Sequence, residues 1–261
     1  RWPPPANPQA RPDPSLPLVI PASQEAPRIA GTARAAAAWL AARPYPADLI
    51  VVDDGSGDGT AREARRALAA AAVPWRVLEI PHGGKAAALR AGMAAASGDL
   101  VAFSDADLAV PLRYLEDLRA AAAGGCDIAI GSREEPASIR HGEPGYRHVM
   151  GRVFNALARG LLLPGLHDTQ CGFKLFRRET LRDVLPRCRL YRGGGEITGA
   201  RVTAFDVELL AVARTRGWRA CPVPVEWTYG QGSKVHPLRD SWHNARDVLS
   251  VWINQKRGRY R

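Results

Sequence analysis

The chain has 261 residues, enough to bury a core as one large domain or two smaller ones. Its 46% hydrophobic and 24% charged residues are those of a soluble globular chain, and no uncharged apolar run is long enough for a spanning helix. The formal charge of +10 calls for an anionic partner, whether nucleotide, lipid phosphate, membrane surface or nucleic acid, without choosing among them.

Residues 1–15 are Pro-rich, lack the apolar core of a signal peptide and read as an extended lead-in. The pattern then alternates. Leu16–Ile20 predicts a strand, Pro27–Ala42 an Ala-rich helix opened by its proline, and Leu49–Val52 a strand running into Asp53-Asp54-Gly55-Ser56. A helix follows over Thr60–Ala72, then a strand at Trp75–Ile80, then His82-Gly83-Gly84-Lys85 and a helix to Ala96. Leu100–Phe103 predicts a fourth strand, followed by Ser104-Asp105-Ala106-Asp107-Leu108, a helix over Pro111–Ala123 and a strand at Asp127–Ile130. Repeated strand–helix–strand order implies an α/β fold, a doubly wound and mostly parallel sheet whose ligands bind beyond the carboxyl ends of the strands. The second half is less regular, with helices expected at Gly145–Leu163 and Phe205–Arg216 and a strand at Arg219–Trp227. Leu238, Trp242, Ala245, Leu249 and Trp252 recur at helical spacing, which predicts a C-terminal amphipathic helical tail over 236–261.

Two aspartates one residue apart at a strand end place both carboxylates on one side of the chain. Like charges that close are costly unless a cation lies between them, and Mg²⁺ takes a few carboxylates together with substrate phosphates. Asp105 and Asp107 therefore suggest a metal-bridged phosphate ligand, against the plain alternative of a solvated turn. At Asp53-Asp54-Gly55-Ser56 a carboxylate can accept a base N–H or hold a ribose hydroxyl, although an Asp-Gly turn capping the next helix is the plainer account of these residues alone. Gly83-Gly84-Lys85 at a helix start suits phosphate, yet it is no Walker loop, and no dinucleotide Gly-x-Gly-x-x-Gly follows the first strand. Of the basic residues in the middle segment, Arg133 stands out because it follows an apolar strand through Gly131-Ser132. Asp168-Thr169-Gln170-Cys171-Gly172-Phe173-Lys174 reads as a polar turn between apolar segments. Cys126, Cys171, Cys188 and Cys221 form no Cys-x-x-Cys pair and have no zinc-spaced histidine; they read as separate reduced thiols of a cytosolic protein.

Taken in order, these segments resemble family 2 glycosyltransferases of the GT-A fold, nearest the polyprenyl-phosphate branch and its dolichyl-phosphate glucosyltransferases. The matching pieces are Val19-Ile20-Pro21-Ala22 with Glu25, Val51 to Ser56 with Asp58-Gly59-Thr60, Gly84-Lys85, Asp105-Ala106-Asp107, Gly131-Ser132-Arg133, Asp168 to Phe176, and Phe205 to Leu209. The resemblance implies a catalytic domain over 16–235 in which Pro21, Ser23, Glu25, Asp53, Asp54 and Lys85 line a nucleotide-sugar donor. It implies Mg²⁺ or Mn²⁺ on Asp105 and Asp107, and an acceptor phosphate on Arg133, Arg147, Lys174 and Lys234, with Asp206 beside the reaction as a positioning group. Ala109 stands where some mannose synthases carry a third ligand, so water or the diphosphate would complete the metal shell.

The implied reaction moves a hexose, glucose from UDP-glucose, onto a polyprenyl phosphate with inversion, and a dianionic phosphate needs no general base. A hydroxyl acceptor, soluble or on a glycolipid, would need one; a GDP-mannose donor is the other alternative. A lipid acceptor places the chain at the cytoplasmic face of a membrane. The tail, with Lys256, Arg257, Arg259 and Arg261, reads either as an interfacial helix or as a helix packed on the sheet. A non-enzymatic nucleic-acid or lipid binder is disfavoured by the aspartate pair and by the few aromatics beside the basic residues.

Overall fold

The computed structural model of the chain describes residues 13–191, 204–230 and 237–261, with backbone alone at 146–147 and 237–242. The first half carries β1 (Leu16–Ala22), α1 (Ala26–Ala41), β2 (Ala47–Asp54), α2 (Thr60–Leu68), β3 (Trp75–Ile80), α3 (Lys85–Ala95), β4 (Leu100–Ser104) and α4 (Tyr114–Ala123). The second carries β5 (Ile128–Ser132), β6 (Ile139–His141), α5 (Gly145–Leu161), β7 (Phe173–Arg177), α6 (Arg178–Val184), α7 (Phe205–Thr215), β8 (Ala220–Pro224), β9 (Glu226–Thr228) and α8 (Pro237–Lys256).

Seven strands form one sheet in the order β3-β2-β1-β4-β7-β5-β8, and β6 pairs with β9 in a small second sheet. All pairs of the large sheet are parallel except those of β7, which runs antiparallel between β4 and β5. Every residue of β1, β4 and β5 is buried, as expected of strands covered on both faces. One face packs on α1, α2 and α4; the other packs on α3 and on residues of α5, α6, α7 and α8. The connections diverge between β1 and β4, so the crevice at their carboxyl ends is where a ligand belongs.

Several expectations need correction. Phe173 and Lys174, read as the end of a polar turn, begin the central strand β7: Phe173 and Leu175 join one core, while Lys174 and Phe176 point to the other face. The single strand expected at Arg219–Trp227 is divided between β8 and β9, which belong to different sheets. The C-terminal helix, for which an interfacial and a packed reading both stood open, packs into the core through its second half. Its Val248 and Val251 and the later Tyr260 are fully buried, while Leu249 of the expected apolar stripe is exposed. The last residue of the expected lead-in, Ser15, donates its N–H and hydroxyl to Asp99 at 2.9 and 2.7 Å, and residues 1–12 lie outside the described residues.

The thiols are corrected too. Pairing of β5 with β8 brings Cys126 to a Cα distance of 6.0 Å from Cys221 across 95 residues of sequence, and the two are disulfide-bonded. Cys171 and Cys188 are buried and lie outside that disulfide. Disulfides persist in oxidising surroundings, which stands against the reduced, cytosolic reading. Replacing both Cys126 and Cys221 by serine is expected to cost about 2–4 kcal/mol, because the bond constrains a long loop in the unfolded chain. Urea unfolding measures that cost. Alkylation of denatured protein isolated without reductant should count two thiols; four would restore the first reading.

Candidate active site

The loops that leave the parallel strands are tied to one another, and these ties place the charged groups. Asp58 accepts from the N–H of Ala26 and of Thr60 (both 3.0 Å), joining the first turns of α1 and α2. Ser56 Oγ donates to Asp53, and Ser56 accepts from the Gln24 N–H at 2.9 Å. Asp53 is buried, and that burial pushes its carboxyl up. Glu25 lies 2.7 Å from Arg28, Ser23 is half-buried, and Pro21 is sealed inside β1.

Asp54 is committed to the next loop. Its Oδ1 and Oδ2 accept from the N–H groups of Gly83 and Gly84 at 2.7 and 2.9 Å, and His82 Nδ1 lies 2.9 Å from Oδ2. The sequence reading placed Asp54 on the nucleotide; the geometry turns it inward, where it holds the loop that presents Lys85. Gly84 has φ +81°, a conformation that glycine adopts without strain, and Lys85 follows as the first residue of α3.

Lys85 Nζ lies 2.5 Å from Asp105 Oδ1. Burial alone would lower the Lys85 pKa, but the charges of Asp105, Asp206 and Asp107 push it above its usual value. Asp107 is pushed up by desolvation and by the Asp105 charge. The backbone packs closely around both carboxylates. A Cβ on Gly172 would stand 2.0 Å from Asp105 Oδ2, and one on Gly230 would stand 3.0 Å from Asp107 Oδ2. The Asp105 N–H donates to the Gly172 carbonyl at 3.1 Å, and buried Thr32 donates to the Ala106 carbonyl at 2.6 Å. The two glycines and Thr32 were not singled out from sequence, because nothing local marks a backbone approach between distant segments.

Among the described residues no group of three or more His, Cys, Asp or Glu gathers at a metal-binding distance. The aspartate pair still fits a hard divalent cation. Its two carboxylates stand near enough for the Asp105 charge to push the Asp107 carboxyl up, and they offer hard oxygen donors.

Arg133 and Asp168 form a two-point pair, Nε to Oδ2 at 2.7 Å and Nη2 to Oδ1 at 2.8 Å, with the Arg133 N–H also donating to Oδ2 at 3.0 Å. The guanidinium lies over the Trp227 ring at 5.3 Å. Burial would raise the Asp168 pKa, but Arg133 overrides it and holds the carboxyl down to about 2. A carboxyl depressed in the folded state stabilises above its ordinary pKa near about 4, and that contribution is lost as pH falls through about 2. Asp168→Asn is therefore expected to be less stable than wild type at pH 7 by on the order of 2 kcal/mol, with the gap closing between about pH 4 and 2. Denaturant unfolding at stepped pH values checks it.

Lys174, expected on the acceptor phosphate, is fully buried. It donates to Asp206 Oδ1 at 2.9 Å and to the Cys171 carbonyl at 2.6 Å, so it braces the start of β7 against the first turn of α7. Glu208, two residues further along α7, accepts from the N–H groups of Arg189 and Leu190 and from the Tyr260 hydroxyl. Lys234 lies outside the described residues, and Arg147 is placed only by its backbone in the first turn of α5.

The sequence matches the family described as Glycosyl transferase family 2 over residues 18–185. It is 33% identical over 272 residues to a dolichyl-phosphate beta-glucosyltransferase of Drosophila melanogaster, covering 97% of this chain and 80% of that one. The human protein of the same name is 29% identical over 265 residues, covering 96% and 78%. Glycosyltransferase AglD of Haloferax volcanii is 33% identical over 242 residues; the match covers 90% of this chain but only 36% of that longer protein. The fold is like that of glucosyl-3-phosphoglycerate synthase from Mycobacterium tuberculosis, solved with Mn²⁺, UDP-glucose and phosphoglyceric acid. That likeness has a TM-score of 0.63 at 21% identity and covers 94% of this chain and 80% of the other. The family match over residues 18–185 and the 33% identity to the Drosophila melanogaster protein make this chain a glycosyltransferase, a member of glycosyl transferase family 2.

Proposed function

We propose that the chain transfers glucose from UDP-glucose to a polyprenyl phosphate of the dolichyl type, with inversion and with a divalent metal, as a peripheral enzyme at a membrane surface. The observation that carries the reading is the cluster of Lys85, Asp105, Asp107 and Asp206 at the carboxyl edge of β4, in a chain matched along nearly its whole length by named dolichyl-phosphate glucosyltransferases.

Ser23 and Glu25, just after β1, and Asp53, near the end of β2, would line the base and ribose, and Ser56 ties these segments together. Lys85 at the N-terminus of α3 offers an ammonium and a helix end to the diphosphate. Asp105 and Asp107 would hold Mg²⁺ or Mn²⁺, which supplies charge neutralisation for the departing nucleoside diphosphate. The bond between the anomeric carbon and the diphosphate oxygen breaks, with its electron pair leaving on the diphosphate. A phosphate oxygen of the acceptor forms the new bond from the opposite face. The acceptor phosphate, with a second pKa near about 6, is mostly dianionic at neutral pH, so orientation rather than proton removal sets the rate. The Nη1 edge of Arg133, which makes no hydrogen bond among the described residues, and Arg147 remain the candidates to meet that phosphate.

Incubation with UDP-glucose, GDP-mannose and other nucleotide sugars, with farnesyl phosphate as acceptor and with or without Mn²⁺, tests the reading by nucleotide release and product mass. Transfer only from GDP-mannose, or only onto a hydroxyl acceptor, would overturn it. Asp206→Asn is expected to leave measurable turnover, because no base is required; complete loss with donor and metal binding intact would refute that step. The thiol count described above bears on the face of the membrane, since four free thiols fit the cytoplasmic side and a disulfide does not.

A further inference from the structure

We propose that α5 is the surface through which this protein docks on an anionic phospholipid bilayer. The inference rests on the lipid-acceptor reading above and assigns its membrane contact to an element that the sequence had not singled out for it. Val149, Val153, Leu157 and Leu161 recur every fourth residue on α5, and they are 60%, 66%, 39% and 37% exposed. Residues at that spacing make one continuous row along a helix. The opposite side of the same helix is core, with Ala158 fully buried. The exposed row is therefore additional to the packing face. A row of four large apolar side chains in water marks an interaction surface more than it marks ordinary scatter.

Charge names the partner. The segment Gly145–Leu161 contains Arg147, His148, Arg152 and Arg159 and no Asp or Glu, in a chain of net charge +10. Arg152 and Arg159 lie seven residues apart, on one flank of the apolar row. An apolar stripe bordered by arginines, on a helix whose nearest carboxylate in sequence, Glu143, is paired with Arg140 and lies against His148, fits the interface of an anionic bilayer. No helix among the described residues is long and apolar enough to cross one.

The position also serves the chemistry. Asn155, buried on the inward side of α5, accepts from the N–H and hydroxyl of Thr169 at 3.2 and 3.0 Å, next to the Asp168 that pairs with Arg133. Docking through α5 therefore brings the Arg133 side of the cleft beside the lipid surface, where a phosphate on a membrane-held chain would arrive.

The test is co-sedimentation with vesicles of phosphatidylcholine and phosphatidylglycerol, beside vesicles of phosphatidylcholine alone. Wild type should bind the anionic vesicles more tightly, and binding should weaken with salt. Val153→Asp/Leu157→Asp should reduce it by about tenfold or more, because it removes two inserted side chains and adds like charge. Val153→Ser/Leu157→Ser, which adds no charge, should reduce it less but measurably. Both variants should keep wild-type transfer from UDP-glucose to farnesyl phosphate in solution, since neither residue lies in the cleft. Unchanged vesicle binding by both variants would overturn the proposal. So would a wild-type dimer that the aspartates dissociate, because the row would then cover a second copy. Vesicle binding that depends on α5 without any transfer to farnesyl phosphate would keep the docking surface and sink the enzymatic reading. Transfer without vesicle binding would do the reverse.

Discussion

Asp107→Asn is expected to reduce sugar transfer by about a thousandfold while leaving the protein at least as stable as wild type. The carboxylate stands beside Asp105, and desolvation together with that like charge pushes its pKa up. Lys85 pairs with Asp105, but its charge only partly offsets the desolvation and repulsion at Asp107, so that carboxylate is a net cost to the fold. Neutralising one member removes the repulsion, and the Ala109 N–H keeps an oxygen acceptor within its 3.1 Å reach. Transfer suffers because the leaving diphosphate loses its charge partner; about 4 kcal/mol of stabilisation corresponds to about a thousandfold in rate. Asp105→Asn is expected to be as damaging to transfer but also to free Lys85 from its 2.5 Å partner. Nucleotide release at saturating Mn²⁺, with thermal unfolding of the same samples, checks both halves. Turnover within tenfold of wild type, or a clear loss of stability in Asp107→Asn, would refute the assignment.

The parallel half of the sheet was legible because each buried strand is a short apolar run bounded by turn residues, and the polar motifs fall at the strand ends. The first four strands and first four helices lie within a few residues of expectation. β7 was not legible, because a lysine in its middle reads as loop until the Asp206 partner, 32 residues away, is known. The Cys126–Cys221 pair was hidden for the same reason, since only the register of β5 with β8 brings the two together. Site residues divided along a similar line. Asp105, Asp107 and Lys85 announce themselves by charge at strand and helix ends, whereas the contribution of Gly172 is a missing side chain facing Asp105. Asp54 and Lys174 were recognised as important, yet residue type alone could not tell a ligand contact from an internal brace. Helical facing was equally hidden. Apolar periodicity marks a helix but not which of two apolar rows is covered, so the row on α5 that faces outward and the buried Val248 and Val251 of α8 both had to be seen.

Lys174→Met is expected to cost about 3–5 kcal/mol of stability, the usual consequence of stranding one member of a buried ion pair. The ammonium is fully buried, and its bonds to Asp206 Oδ1 and the Cys171 carbonyl are 2.9 and 2.6 Å. Methionine keeps an unbranched stem, one heavy atom shorter, beside the Phe103 ring, so most of the loss measures charge rather than volume. The double variant Lys174→Met/Asp206→Leu removes both charges and is expected to regain most of the lost stability, because an apolar pair can replace a buried ion pair at little cost. Transfer should not return with it. Asp206 also bears on Lys85, and Lys174 holds the Cys171 carbonyl immediately before Gly172, whose backbone fits against Asp105. Urea unfolding and UDP-glucose turnover on the two variants separate these contributions. If stability and transfer recovered together, the pair would be a brace for the fold alone. Recovery of stability without transfer would place Asp206 in the cluster that meets the donor, with Lys174 as the group that holds it there.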